Sequence, residues 1–324
     1  MPLAQRRVMV LGAASPLGGA VVHDLVARGV GHILAVDPPG HASSAEGEIT
    51  QTTAAQLTRV EADLTRSRNR RSLLFGPGRD QAIDTVVDLA MHRSIRPTGA
   101  RVHELNVEST RELIGLAERH PTISAFILKS FAEVYDVDPR RPTVMVEDHA
   151  LDLRAHTQWR RDRVEADLVA CTRMGMSRLR IAVLRTAECL EPGTGSQLWD
   201  YLQSRVCFRA LGFDPMVNVA SMRDIAAALG LAVTRSAHGI YNIPGADTLP
   251  LSRLIHLWGR HDVMVPSLLM QPLYALRAGT IGRDFSYRIN RERMRFGGVL
   301  DGRRAASELG YHPEHPLDWP AAPR

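Results

Sequence analysis

From residue 7 to residue 185 the chain alternates between short apolar runs, many of them β-branched, and longer stretches with helical spacing. The runs are Arg7–Leu11 (RVMVL), His32–Asp37 (HILAVD), Leu57–Leu64 (LTRVEADL), Asp84–Ala90 (DTVVDLA), Ser124–Ser130 (SAFILKS) and Ser177–Arg185 (SRLRIAVLR). Between them lie PLGGAVVHDLVARG, closed by Gly29 as a C-cap, the long RVHELNVESTRELIGLAERH, and a helix running to about Arg173. Runs this apolar belong to strands buried on both faces. Strands that alternate with helices pair in parallel, with the helices as covers. The expected fold is therefore α/β, a Rossmann-type doubly wound parallel sheet.

After Arg185 the pattern loosens. TAECLEPGTGSQ reads as a loop, ASMRDIAAALGLAVTR as a helix and GIYNIPG as a short strand, and a largely helical, proline-bearing tail starts at Leu251. We expect a core over 1–185, with returns near 217–243, and a smaller C-terminal lobe made mainly of 186–324. The stretch Pro38 to Gln56, rich in Ser, Thr, Ala and Gly, reads as a mobile loop. The N-terminal apolar run breaks at Gly12 into a glycine turn, unlike a signal peptide. No apolar run reaches eighteen residues, so no transmembrane segment is expected. Cys171, Cys189 and Cys207 are three and far apart, which fits reduced thiols in a cytoplasmic protein.

Net charge is +5, and almost all the positive charge is arginine, because Lys129 is the only lysine. The densest basic stretch, Arg283 to Arg304, holds seven arginines and three acids. It reads as a solvated face with local ion pairs, with a phosphate-bearing ligand as the alternative. No aromatic platform accompanies the charge, so nucleic acid is not an expected partner. Met264 to Ile281 (MVPSLLMQPLYALRAGTI) reads as a packed helix of the small lobe, or as a surface for peripheral lipid or protein contact.

The turn GAASPLGG follows the first strand and opens the first helix. Its spacing is Gly12-x-x-Ser15-x-x-Gly18, where glycines allow a tight turn and close approach of a pyrophosphate to a helix start. Ser15 stands at the middle glycine place, and Ser15 with Pro16 makes a sound N-cap and first helical residue. Asp37 ends the second strand, nineteen residues past Gly18, where a carboxylate binds ribose hydroxyls and repels a 2′-phosphate. NAD is therefore expected over NADP.

Together these residues resemble the extended short-chain dehydrogenase/reductase family, the NAD-dependent epimerase/dehydratase group. The resemblance runs nearly the whole chain. GAASPLGG resembles the family's G-x-x-G-x-x-G turn, EADLT its acidic element near the adenine, and VVDLAMH its fourth-strand V-x-H-L-A-A. LNVESTRELIGLA, LKSFAEVYD and VLRTAECLEPGTGS resemble later landmarks, as do VASMRDIAAAL, GIYNIPGADTLPLSRLI and RAASELGYHPEHPLD. The resemblance implies a cofactor site of Gly12, Ser15, Pro16, Leu17, Gly18, Asp37, Asp63, Leu64, Leu89, Ala90, Asn106 and Arg163. It also implies a homodimer.

The catalytic places depart from the family's Ser or Thr, Tyr and Lys. Phe131 falls at the hydroxyl place, Trp159 at Tyr and Arg163 at Lys, with Asp167 at the acid that follows. No tyrosine has a lysine four residues on, since Lys129 is the only lysine. An indole supplies no usable acid at neutral pH, and guanidinium geometry is not that of an ammonium. Trp159 is expected to fill space where a substrate carbonyl would meet the nicotinamide. Arg163 is expected beside the cofactor ribose or paired with Asp167. His156, Asp162 and Glu133 are alternative acids or bases. Three functions follow: a non-catalytic nucleotide-binding sensor or scaffold for a small molecule or protein, an oxidoreductase or epimerase with a relocated acid, and an interaction protein with a vestigial nucleotide site. No metal is expected.

Overall fold

A computed structural model describes residues 2–40, 56–277 and 285–320. Seven parallel strands form the central sheet: β1 (Arg7–Leu11), β2 (His32–Asp37), β3 (Gln56–Glu61), β4 (Thr85–Asp88), β5 (Ala125–Phe131), β6 (Arg180–Thr186) and β7 (Gly239–Ile243). Their order is β7-β6-β5-β4-β1-β2-β3, and every pairing in it is parallel. This is the doubly wound α/β sheet that the alternation predicts.

The two-residue period of a strand divides its side chains between two cores. Val8, Val10, Ile33, Ala35, Val87, Ile127 and Leu184 pack on one face, under the helices Pro16–Ala27 and Met222–Thr234. Met9, Leu11, Leu34, Val36, Val86, Phe126 and Val183 pack on the other, against Leu113, Ile114, Val169 and Ala170 of two further helices. A third core, with Leu190, Tyr201, Leu254 and Met270 at its centre, gathers residues from 190 onward and reaches Trp319.

Several local expectations need correction. The long helix before β5 is composite: Ala100–His103, a π-helical turn at Glu104–Glu108, then Ser109–Ala117. The segment read as a loop after Arg185 contains a two-residue strand, Glu188–Cys189, that pairs with Val219 and Ala220. The basic stretch does form local pairs, Arg291 with Glu292 and Arg303 with Asp301, but Arg293 turns inward to Glu188. Helix Ser267–Arg277 buries only Met270 and exposes Leu268, Leu269 and Leu276. Most of Pro38–Gln56, the end of Met264–Ile281 and the start of Arg283–Arg304 lie outside the described residues. No helix among the described residues is long and apolar enough to cross a membrane.

Candidate functional site

Because the strands are parallel, their carboxyl ends share one edge, and the loops that leave them converge there. Gly12, Asp37, Asp63, Leu89, Phe131 and Glu188 each follow or close a different strand of the structure at that edge. Gly12 has φ +82, a left-handed conformation that favours glycine. A Cβ at Gly18 would run into the backbone of Gly12 and Ala13, so helix and turn touch here because a side chain is missing. Ser15 Oγ accepts from Gly18 N–H at 2.9 Å and donates to the Gly12 carbonyl at 2.7 Å, and Pro16 is the first helical residue. This turn, followed by a twelve-residue helix, fits a pyrophosphate. Asp37 is buried and its Oδ1 accepts from Ala14 N–H at 2.7 Å, so the carboxylate braces the turn.

A cleft opens beside this turn. Ser15, Leu17, Leu89 and Phe131, all read from sequence, line it together with Lys129, Glu133, Arg93, Glu188 and Cys189. The other expected cofactor residues are spread around the edge. Asp63 accepts from Thr65 N–H and Oγ1 at 3.0 and 2.6 Å, and these bonds hold its carboxyl below the usual range. Leu64 is buried, and the Leu89–Ala90 backbone packs against Gly12. Asn106 is buried; its Oδ1 accepts from His92 N–H at 2.8 Å and its Nδ2 donates to Asp162 at 3.0 Å. It ties the loop after β4 to the helix Gln158–Arg173.

The three departures form one packed unit. The Arg163 guanidinium carbon lies 3.6 Å from the Trp159 ring centroid and 3.8 Å from that of Phe131. Lys129 Nζ lies 3.2 Å from the Phe131 centroid. Two groups this close to one centroid occupy opposite faces of the ring. The result is a four-layer stack of ammonium, phenyl, guanidinium and indole, whose alternating cations and π-faces attract. Trp159 Nε1 donates to the Arg93 carbonyl at 3.1 Å, and Arg93 Nη1 donates to the Gly193 carbonyl at 2.8 Å. Trp159 is buried and does not line the cleft. The ring expected to fill the space of a substrate carbonyl is thus absent from the cleft lining: Phe131 and Lys129 face the cleft, and Trp159 lies behind Arg163.

Arg163 does not pair with Asp167. Asp167 is fully buried and takes a two-pronged ion pair from Arg185, at 2.6 and 3.0 Å, plus the Ser130 hydroxyl at 2.5 Å. Arg163 instead meets Glu133 at 3.5 Å. Burial lowers the Arg163 pKa to about 10 against the pull of Glu133, so it stays charged at neutral pH. Burial works against ionised Glu133, but Arg163, Arg293 and Lys129 together hold its carboxyl below the ordinary range. Tyr135, the tyrosine of the LKSFAEVYD segment, donates to Asn242 at 2.6 Å, and burial pushes its phenol up to about 12. That is the wrong direction for a proton relay at neutral pH.

Sequence reasoning missed Lys129, Arg93, Glu188 and Arg293. Arg293 Nη1 donates to Glu188 Oε1 at 2.5 Å, and Glu188 Oε2 accepts from Ser196 Oγ and Leu198 N–H at 2.7 and 2.8 Å. The signal for Lys129 was present: a lysine inside the apolar run AFILKSF must leave the strand into a cavity or a partner. Arg293 carried no such signal, being one arginine among many.

No family model matches the chain. An uncharacterized protein of Mycobacterium tuberculosis (strain ATCC 25618 / H37Rv) is 26% identical over 321 residues, which span 97% of this chain and 81% of the relative. An uncharacterized protein of Mycobacterium bovis matches to the same extent. Among solved structures, dTDP-glucose 4,6-dehydratase from Bacillus anthracis in complex with NAD aligns at TM-score 0.65 and 15% identity, covering 96% of this chain and 92% of that one. DesIV, a dTDP-glucose 4,6-dehydratase from Streptomyces venezuelae with NAD bound, aligns at TM-score 0.70 and 17% identity, covering 97% and 94%. Pal from Bacillus thuringiensis gives TM-score 0.74 at 13% identity, covering 97% and 96%. The structural neighbours thus include dTDP-glucose 4,6-dehydratases solved with NAD, and at these identities the likeness is one of fold.

Proposed function

We propose that this protein binds NAD(H) at the carboxyl edge of its sheet and acts as a non-catalytic sensor or scaffold. The observation that carries the reading is the stack of Phe131, Arg163 and Trp159. On the family resemblance each of the three stands where a relay residue would be, and each is packed against Arg163 or a neighbour. Among the described residues no tyrosine lines the cleft, and the phenol nearest in sequence is committed to Asn242 and Arg185. NAD, when bound, supplies a hydride acceptor. The chain's own residues supply the turn that seats the pyrophosphate and the Asp37 carboxylate near the ribose, without a neutral-pH phenol to move a proton.

Support for the nucleotide comes from the missing side chain at Gly18, the serine-capped helix start and the NAD-bound neighbours. Calorimetric titration tests it: NAD should bind more tightly than NADP, because Asp37 repels a 2′-phosphate. Binding of neither nucleotide, or a preference for NADP, would overturn the reading. The clean variant is Asp37→Asn rather than Asp37→Ala. It keeps an acceptor for Ala14 N–H and removes the charge, so it should narrow the NAD preference without undoing the turn.

A second reading, turnover with a relocated acid or base, has one observation in its favour. Glu133 and Lys129 line the same cleft beside the turn.

A further inference from the structure

Lys129 is the only side-chain amine in the protein, and it lies in the cleft. Residues Ala125 to Leu128 before it are buried, so β5 carries the lysine through the core and releases it at the carboxyl edge. Its Nζ rests on one face of Phe131 while the Arg163 guanidinium covers the other. Among the described residues that amine has no hydrogen-bond or carboxylate partner.

The charged and titratable groups around it come from four elements. Arg163 reaches in from the helix Gln158–Arg173, Glu133 from the turn after β5, Cys189 from the short strand after β6, and Arg93 from the loop after β4. The carboxylates of the cleft are already engaged: Glu133 by Arg163 and Arg293, Glu188 by Arg293, Ser196 and Leu198. Arg93 has the Gly193 carbonyl and, among the described residues, no carboxylate. Burial first, then Arg163, lowers the Lys129 pKa from its ordinary 10.5 to about 7, with Glu133 opposing. Burial of the cysteine thiol pushes it up to about 12, so Cys189 is not a competing nucleophile. A desolvated lysine beside another cation is the arrangement that makes an amine nucleophilic at neutral pH.

We propose that Lys129 captures a small carbonyl compound bearing an anionic group by forming an imine with it. The nitrogen lone pair attacks the carbonyl carbon and the C=O π pair moves to oxygen, which takes up the proton that nitrogen releases. The carbinolamine hydroxyl then takes up a proton and leaves as water while the nitrogen lone pair closes the C=N bond, and the iminium nitrogen returns its remaining proton to solvent to give the imine. Amine and carbonyl give imine and water, and no oxidant or reductant enters. The anionic group answers the positive charge that Arg93 brings without a carboxylate. Such capture goes beyond the nucleotide reading, because it needs the cleft but no bound nucleotide.

Reductive trapping tests the proposal without any variant and in the absence of nucleotide. The full chain, native and in urea, is incubated with pyruvate and cyanoborohydride, and the modified peptide is located by mass. Free N-acetyl-lysine runs alongside, and peptide mapping separates Lys129 from the α-amine. Near pH 7 the fraction of free amine rises by about 10³ and the lower basicity cuts that gain roughly tenfold, so native Lys129 should react on the order of a hundredfold faster than in urea. The native rate should level off just above pH 7, while the urea rate keeps climbing. A native rate equal to or below the urea rate would overturn the proposal. Acetone, which lacks the anionic group, should show at least about tenfold less native enhancement than pyruvate. Equal enhancement would overturn the anionic part.

Discussion

Phe131, Arg163 and Trp159 act as one packed structural unit. A guanidinium between two aromatic rings needs both rings, and a phenyl between two cations needs both cations. Among the described residues Arg163 Nε has no hydrogen-bond partner, which suits a group held by its faces. The three positions were singled out from spacing alone, but their mutual packing was not legible, because sequence does not say that helix residue 163 lies between strand residue 131 and its own helix neighbour 159. Asp88 gives a prediction of a different kind. It is buried, accepts from Ala90 N–H at 3.0 Å and Thr110 at 3.3 Å, and burial raises its pKa from 3.8 to about 6. Below pH 4 the carboxyl is protonated in both folded and unfolded chains and costs nothing. As pH rises through the window from 4 to 6 the unfolded chain ionises first, so stability falls, and above 6 the loss is complete. Asp88→Asn stays neutral throughout. Urea unfolding should therefore show the variant gaining up to about 2–3 kcal/mol on the wild type between pH 4 and pH 7.5. A pH-independent difference would contradict this account of Asp88.

Among the elements, the strands and the glycine turn were the legible part. Apolar runs buried on both faces admit little else, and each expected strand of the sheet appears within a few residues of its place. Less legible were features set by tertiary contact. The π-helical turn at Glu104–Glu108 carries Asn106, whose bonds to His92 and Asp162 cross between elements. The two-residue strand Glu188–Cys189 exists only because Val219 and Ala220 lie beside it. The turn itself can be tested at Gly18. An alanine methyl there meets backbone rather than a movable side-chain end, so the helix must be pushed away from the Gly12–Ala13 turn. Gly18→Ala should lower stability by about 1–3 kcal/mol, as overpacking does, and lose NAD binding with it. Gly19, where a Cβ meets nothing within 4 Å, is the control, and Gly19→Ala should leave both unchanged. Equal behaviour of the two variants in thermal melts and calorimetry would refute the close-approach argument.

At the scale of the molecule, the parallel sheet decides where function can sit. It brings residues as distant in sequence as Gly12, Lys129 and Glu188 to one edge, and the short helix Arg293–Phe296, anchored in the third core by Met294, supplies Arg293 from far down the chain. The resulting cleft lies beside the glycine turn and is backed by a packed cationic stack. The central claim is that binding and turnover have come apart, and one measurement reads both. NADH is titrated into the protein while its nicotinamide fluorescence is followed over time, with aldehydes, ketones and nucleotide sugars then added in turn. The account predicts a saturable fluorescence change that shows no progressive decay with time after any addition. No saturable signal, or a signal that decays when a carbonyl is supplied and is restored by fresh NADH, would contradict it.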